Sequence, residues 1–232
     1  MPSSGNRTAH RNPWAHVARV RFFWLLVLLI GFILAVPAIP TSEKGQWEIM
    51  ILGLVNFFAS IFVSQGLTRM WVIGILAMAL LVTGGYYIFD GDPASLLLAS
   101  LAILLVTLAY TATCVLSFVL DEGVVGIEHI FGAICAYILI AMAFGTLYFI
   151  LELMQPGSFT GVHMVLHSGE RPWWQFFYFS FTTLSTVGYG DIVPATARAR
   201  SFVIIEQLLA IFYVAILISR LTGMYTSSSK PR

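Results

Sequence analysis

The chain has 232 residues, 59% of them hydrophobic and only 10% charged, and a mean hydropathy of +0.88. That composition excludes a soluble globular domain and places the chain in a lipid bilayer. The formal net charge is +1; without a Lys/Arg run or interleaved aromatic and basic residues, no nucleic-acid partner is expected.

Residues 1–21 are polar and carry Arg7, Arg11, Arg19 and Arg21, which predicts a cytoplasmic tail under the positive-inside rule. The first apolar stretch, 22–39, is long enough to span. Pro37 and the Ala35-Val36-Pro37-Ala38 run also suit a signal-peptide cleavage region, but the apolar part is at the long end for one, and a retained helix is the reading adopted. Further spans are predicted over 47–64, 71–89 and 94–120, separated by short polar breaks such as Asp90-Gly91-Asp92-Pro93. Trp24, Trp47, Trp71, Tyr86 and Tyr87 fall near span ends, where amphipathic rings prefer the interface.

Residues 22–120 thus read as a four-helix transmembrane domain. Its last span contains no Lys or Arg. Moving one charge through the field gains only about 2.3 kcal/mol per 100 mV, so gating by charged-helix movement is not expected. Asn56 reads as a helix-to-helix hydrogen bond. Cys114 and Cys135 lie inside apolar stretches without metal-ligand spacing and read as small core residues.

Residues 121–128 form a short cytoplasmic linker in which Gly123 and Gly126 disfavour a long stiff helix. The pore half, 129–224, begins with a fifth span over 129–154 and a loop over 155–171. Pro172 then opens a short helix over 173–185, a position where its missing N–H costs nothing. The last span covers 201–224, and 225–232 form a cytoplasmic tail. Six spans put both termini inside and 155–200 outside, which leaves eight Lys/Arg on the inner side and four on the outer, the bias required. About eight residues follow Met224, too few for a cytoplasmic ligand-binding domain, so regulation is expected from lipid, pH, the filter or an unidentified regulatory partner.

The most specific stretch is Thr182-Thr183-Leu184-Ser185-Thr186-Val187-Gly188-Tyr189-Gly190-Asp191. Gly188 and Gly190 alternate with Val187 and Tyr189, so every second residue can enter backbone regions closed to other side chains and successive carbonyls can face one axis. Rings of such carbonyls replace the hydration shell of a potassium ion. A plain glycine-rich turn would rarely sit between an aromatic amphipathic segment and a membrane-length apolar run.

Residues 186–190 resemble the TVGYG signature of potassium channels of the tetrameric pore-loop superfamily, and the threonine-rich run before them and Asp191 after them match as well. The resemblance is specific over 129–224; residues 1–120 share only the helix count. It implies an all-α membrane protein with six transmembrane helices and a re-entrant pore helix and selectivity filter between the fifth and sixth. Carbonyls of Thr186, Val187, Gly188 and Tyr189, with Gly190 completing the signature, would bind K+, and the Thr186 hydroxyl would form the innermost site. One filter per chain implies a homotetramer, since four strands must surround an ion. K+ is the only cofactor expected, with no organic group and no enzyme motif of the Gly-x-Ser-x-Gly or His-Glu-x-x-His kind. The location implied is the plasma membrane, multi-pass.

Aligned with that family, Ile211, Ala215, Ile218 and Thr222 line the inner cavity, and Ala210 stands where a flexing glycine is common. Gating is therefore expected in the filter or in rigid tilting of the helix. Tyr178, Thr182, Asp191 and Glu206 are the expected filter supports, Tyr178 standing where many members have Trp. Glu206, the only carboxylate of the last span, lies roughly 140° from Ile211 around the helix. It reads as a hydrogen-bonded carboxyl, with Thr182, Ser180 or Tyr178 as partner, ahead of a proton-sensitive brace. Glu128 and His129 read as an interfacial pair, with titration near neutral pH as the second reading. His163 and His167 read as solvated loop residues rather than metal ligands. The competing functional readings are a potassium uptake transporter component and a non-conducting partner subunit.

Overall fold

The computed structural model describes residues 21–35, 74, 78, 79, 94–121, 126–162 and 172–228. The expected spans over 47–64 and 71–89 lie outside the described residues apart from three helical positions, as do residues 1–20, Asn56, His163 and His167. Five helices and one pair of short strands make up the remainder: α1 (Arg21–Ala35), α2 (Ala94–Val119), α3 (Ile127–Met154), β1 (Phe159–Thr160), α4 (Pro172–Leu184), β2 (Val193–Pro194) and α5 (Ala197–Ser228). Among the described residues, three helices are long and apolar enough to cross a membrane: Ser95–Val119, Ile127–Met154 and Ala197–Arg220.

Helix α3 is the centre of the packing, with α1, α2 and α4 all laid against it. In α1 the buried residues Phe22, Leu25, Leu29 and Phe32 recur at spacings of three and four, one stripe of a 3.6-residue helix. Leu101, Leu104, Leu108, Val115 and Val119 form the same kind of stripe on α2. Hydroxyls on α2 are satisfied by its own backbone: Thr107 donates to Ile103 O at 2.7 Å and Thr111 to Thr107 O at 2.8 Å. A helix surrounded by lipid needs this, because no water is available to do it.

Helix α3 begins two residues earlier than expected, so Glu128 belongs to its first turn rather than to the linker. Its start is closed by the Gly126 N–H donating to His129 Nδ1 at 3.2 Å. The expected Glu128–His129 pair does not form a hydrogen bond. Glu128 instead accepts from the Phe22 N–H at 3.3 Å, and the His129 ring stacks on Phe118 with centroids 4.6 Å apart. Three helix ends meet at this point, and each side chain is claimed by a different neighbour.

One strand pair departs from a purely helical chain. Phe159 pairs with Pro194 and Thr160 with Val193, antiparallel, which ties the loop after α3 to the segment after residues 186–190. Helix α5 extends four residues beyond each predicted end of the last span. Its packing is sparse: 17% of its span is buried, against 67% for α3. Bonds from its far half to the other described residues include Tyr213 Oη donating to Ala133 O and Arg220 donating to Asp121 O.

Candidate pore loop and its supports

The pore loop is built on α4. Trp173, Phe176, Phe177 and Phe179 are buried because they face α3 and the strand pair, where Tyr148, Phe149 and Phe159 complete an aromatic cluster with ring centroids 5.2–5.7 Å apart. This rigid wedge fixes where α4 ends. At that end the Thr182 carbonyl accepts two amides, Val187 N–H at 2.9 Å and Gly188 N–H at 3.1 Å, and Thr183 O accepts from Thr186 N–H at 3.0 Å. The chain is therefore folded back onto the carboxyl end of α4 as it enters residues 186–190. A helix carboxyl end carries partial negative charge, which favours a cation near this turn.

Beyond the turn the backbone alternates. Thr186, Gly188 and Gly190 have positive φ of 60°, 52° and 81°, while Val187 and Tyr189 between them do not. At Gly188 and Gly190 a Cβ would meet nothing within 4 Å. Glycine is used there for its backbone freedom rather than for space. The expectation covered the two glycines; the positive φ of Thr186 is an addition that residue type alone does not signal.

The Tyr178 phenol stands beside the Asp191 carboxyl, which holds it above its ordinary range. Tyr178 also stacks on Tyr189, rings 6.3 Å apart and 5° from parallel. The Asp191 carboxylate accepts from the Ile192 N–H at 3.0 Å.

Glu206 is fully buried, but its partners are Tyr148, whose Oη is 2.6 Å from Oε2, and Ser180, close to Oε1. Of the three expected partners only Ser180 is present. Thr182 is turned away because its hydroxyl donates to Phe179 O at 2.9 Å within α4, and Tyr178 stands beside Asp191 instead. On the opposite side of α5, Ile211 and Ile218 are 58% and 56% exposed and Ala215 is exposed too. The side chain of Thr222 lies outside the described residues. Ala210 is buried with Ala141 and Leu184, so the position expected for a flexing glycine is a packed contact.

Glu152 was not anticipated. Near the end of α3 its carboxylate accepts from Gly157 N–H at 2.7 Å and Phe159 N–H at 3.0 Å, and so shapes the turn that leads to β1. The signal available in the sequence is an acid at a span end followed by Pro156-Gly157. At Gly161 a Cβ would stand 1.8 Å from Asp191 O, so the loop touches the backbone just after residues 186–190.

A long helix, a short helix ending in a re-folded loop of alternating φ, and a second long helix follow one another over residues 127–228. Residues 136–227 match a family model described as an ion channel. The match runs from the third turn of α3 to residue 227 near the end of α5, 92 of 232 residues, and it supports passive ion conduction. No curated protein matches the chain.

Proposed function

We propose that the chain is a potassium-selective channel that conducts K+ passively across the plasma membrane as a homotetramer, with its filter on the outer side and both termini cytoplasmic. The observation that carries the reading is the alternation of positive φ at Thr186, Gly188 and Gly190 within the run Thr-Val-Gly-Tyr-Gly. It supports a strand whose carbonyls at Thr186, Val187, Gly188 and Tyr189 are available to replace the hydration shell of K+. The ion is the cargo, and neither an organic cofactor nor an enzymatic activity is part of the reading.

Four copies are proposed because one strand supplies one quarter of an ion cage. The sparse burial of α5 supports this, since Ile211, Phe212 and Ile216 are 58%, 60% and 53% exposed in the single chain. Ile211, Ala215, Ile218 and Thr222 are assigned to the inner cavity and Tyr178, Thr182, Asp191 and Glu206 to filter support. With no Lys or Arg in 94–119, gating does not depend on a charged α2.

The test is potassium flux from liposomes containing only the purified protein. The expected result is flux with K+ that sodium does not replace, together with a complex of four chains. A non-conducting complex across several lipids and pH values would move the assignment to a partner subunit.

A further inference from the structure

The contact between α5 and α4 turns on a proton count. Ser180 Oγ lies 2.8 Å from Ala141 O and also within bonding distance of Glu206 Oε1. A serine hydroxyl carries one hydrogen and two acceptor lone pairs. It can donate to only one of those two oxygens, and the other must supply its own hydrogen or be an unscreened contact between lone pairs. Ala141 O is a carbonyl and has no hydrogen to give. Tyr148 already spends its single hydroxyl hydrogen on Glu206 Oε2 at 2.6 Å. The arrangement closes without a deficit only if Glu206 Oε1 bears the hydrogen.

We infer that Glu206 is a neutral carboxylic acid in the folded channel, donating from Oε1 to Ser180 Oγ, which donates in turn to Ala141 O, so that one proton links α5, α4 and α3. Glu206 is thereby a positioning residue: it sets the pore helix through Ser180 and does not touch the ion. Its surroundings agree. Among the described residues its interactions come from Ser180 and Tyr148, with no cation among them. Tyr137 on α3 is the other titratable group that feels it, and a phenol is no counter-ion. A fully buried carboxylate without a counter-ion is far costlier than a hydrogen-bonded acid.

The inference rests on the pore reading for its functional meaning, but its chemistry does not. The test is infrared spectroscopy of the full-length protein in liposomes at neutral pH, with glutamate labelled at the side-chain carboxyl carbon. The expected result is a hydrogen-bonded carboxylic-acid C=O band that disappears in Glu206→Gln and shifts to higher frequency in Ser180→Ala, where the acid loses its acceptor. Flux through Glu206→Gln, whose amide also donates to Ser180, should stay close to that of the unsubstituted protein, whereas Glu206→Ala should lose about tenfold because Ser180 and Tyr148 lose their partner. A label that appears only as carboxylate at neutral pH, or an acid band indifferent to Ser180→Ala, would overturn the inference. Because the band is read whether or not the protein conducts, failure of the pore reading leaves this result intact and separately visible.

Discussion

Gly145 on α3 and Phe177 on α4 approach so closely that a Cβ on Gly145 would lie 2.2 Å from the Phe177 ring and 2.9 Å from its Cα. Rotating the ring relieves the first contact but not the second, because the backbone of α4 cannot swing away without moving residues 186–190 that follow it. Gly145→Ala should therefore destabilise the assembly by about 1–3 kcal/mol, the usual cost of overpacking. The measurement is the thermal midpoint of the purified complex, expected to fall.

At Gly188 the constraint is conformational. With nothing within 4 Å of a Cβ and a φ of 52°, Gly188→Ala meets no clash but must hold an alanine in the left-handed region, at about 1–2 kcal/mol per chain. Four such penalties around one ion should reduce flux by more than about tenfold. Gly157→Ala is the matched control: its φ is 85° with equally open surroundings, yet it lies in the loop before β1, and flux should be unchanged.

Glu152→Ala removes the acceptor of two amides and leaves both to find water or go unpaired. Local stability should fall by about 1–3 kcal/mol. Hydrogen exchange at Gly157 and Phe159 is expected to accelerate while exchange within α2 stays as it was.

Tyr178→Phe deletes the hydroxyl that stands beside Asp191 and keeps the ring stacked on Tyr189. The side chain is exposed in the single chain, so a change within about threefold in flux is expected. The phenol is held above its ordinary range by the Asp191 carboxyl. A raised value means that the contribution is fully present below the ordinary phenol range, near pH 10, and is lost only as pH rises through the higher value. Tyr178→Phe and the unsubstituted protein should thus differ by the same factor throughout the neutral range.

The helices and turns of residues 127–228 were legible in the sequence because their signals are local. Pro172 marks a helix start, Gly188 and Gly190 mark a backbone that needs positive φ, and the long apolar runs mark α2, α3 and α5. Glu206 was legible as an intramembrane acid on the face away from Ile211, since helical geometry alone separates them. Its partner Tyr148 was not, because that contact spans 58 residues and depends on how α3 and α5 pack. Thr182 looked like a partner until its hydroxyl found the carbonyl of Phe179, a local competitor that a serine or threonine in a helix always has. Glu152 and Gly145 escaped notice because one binds backbone and the other leaves room for it, and neither role has a residue-type signature.

The central claim is ion identity, and a reversal potential in a bilayer with potassium on the inner side and sodium on the outer reads it most directly. The filter assigned to residues 186–190 predicts outward current at zero voltage and a strongly negative reversal, abolished with the current in Gly188→Ala. A reversal near zero, showing that sodium passes as readily as potassium, would contradict it.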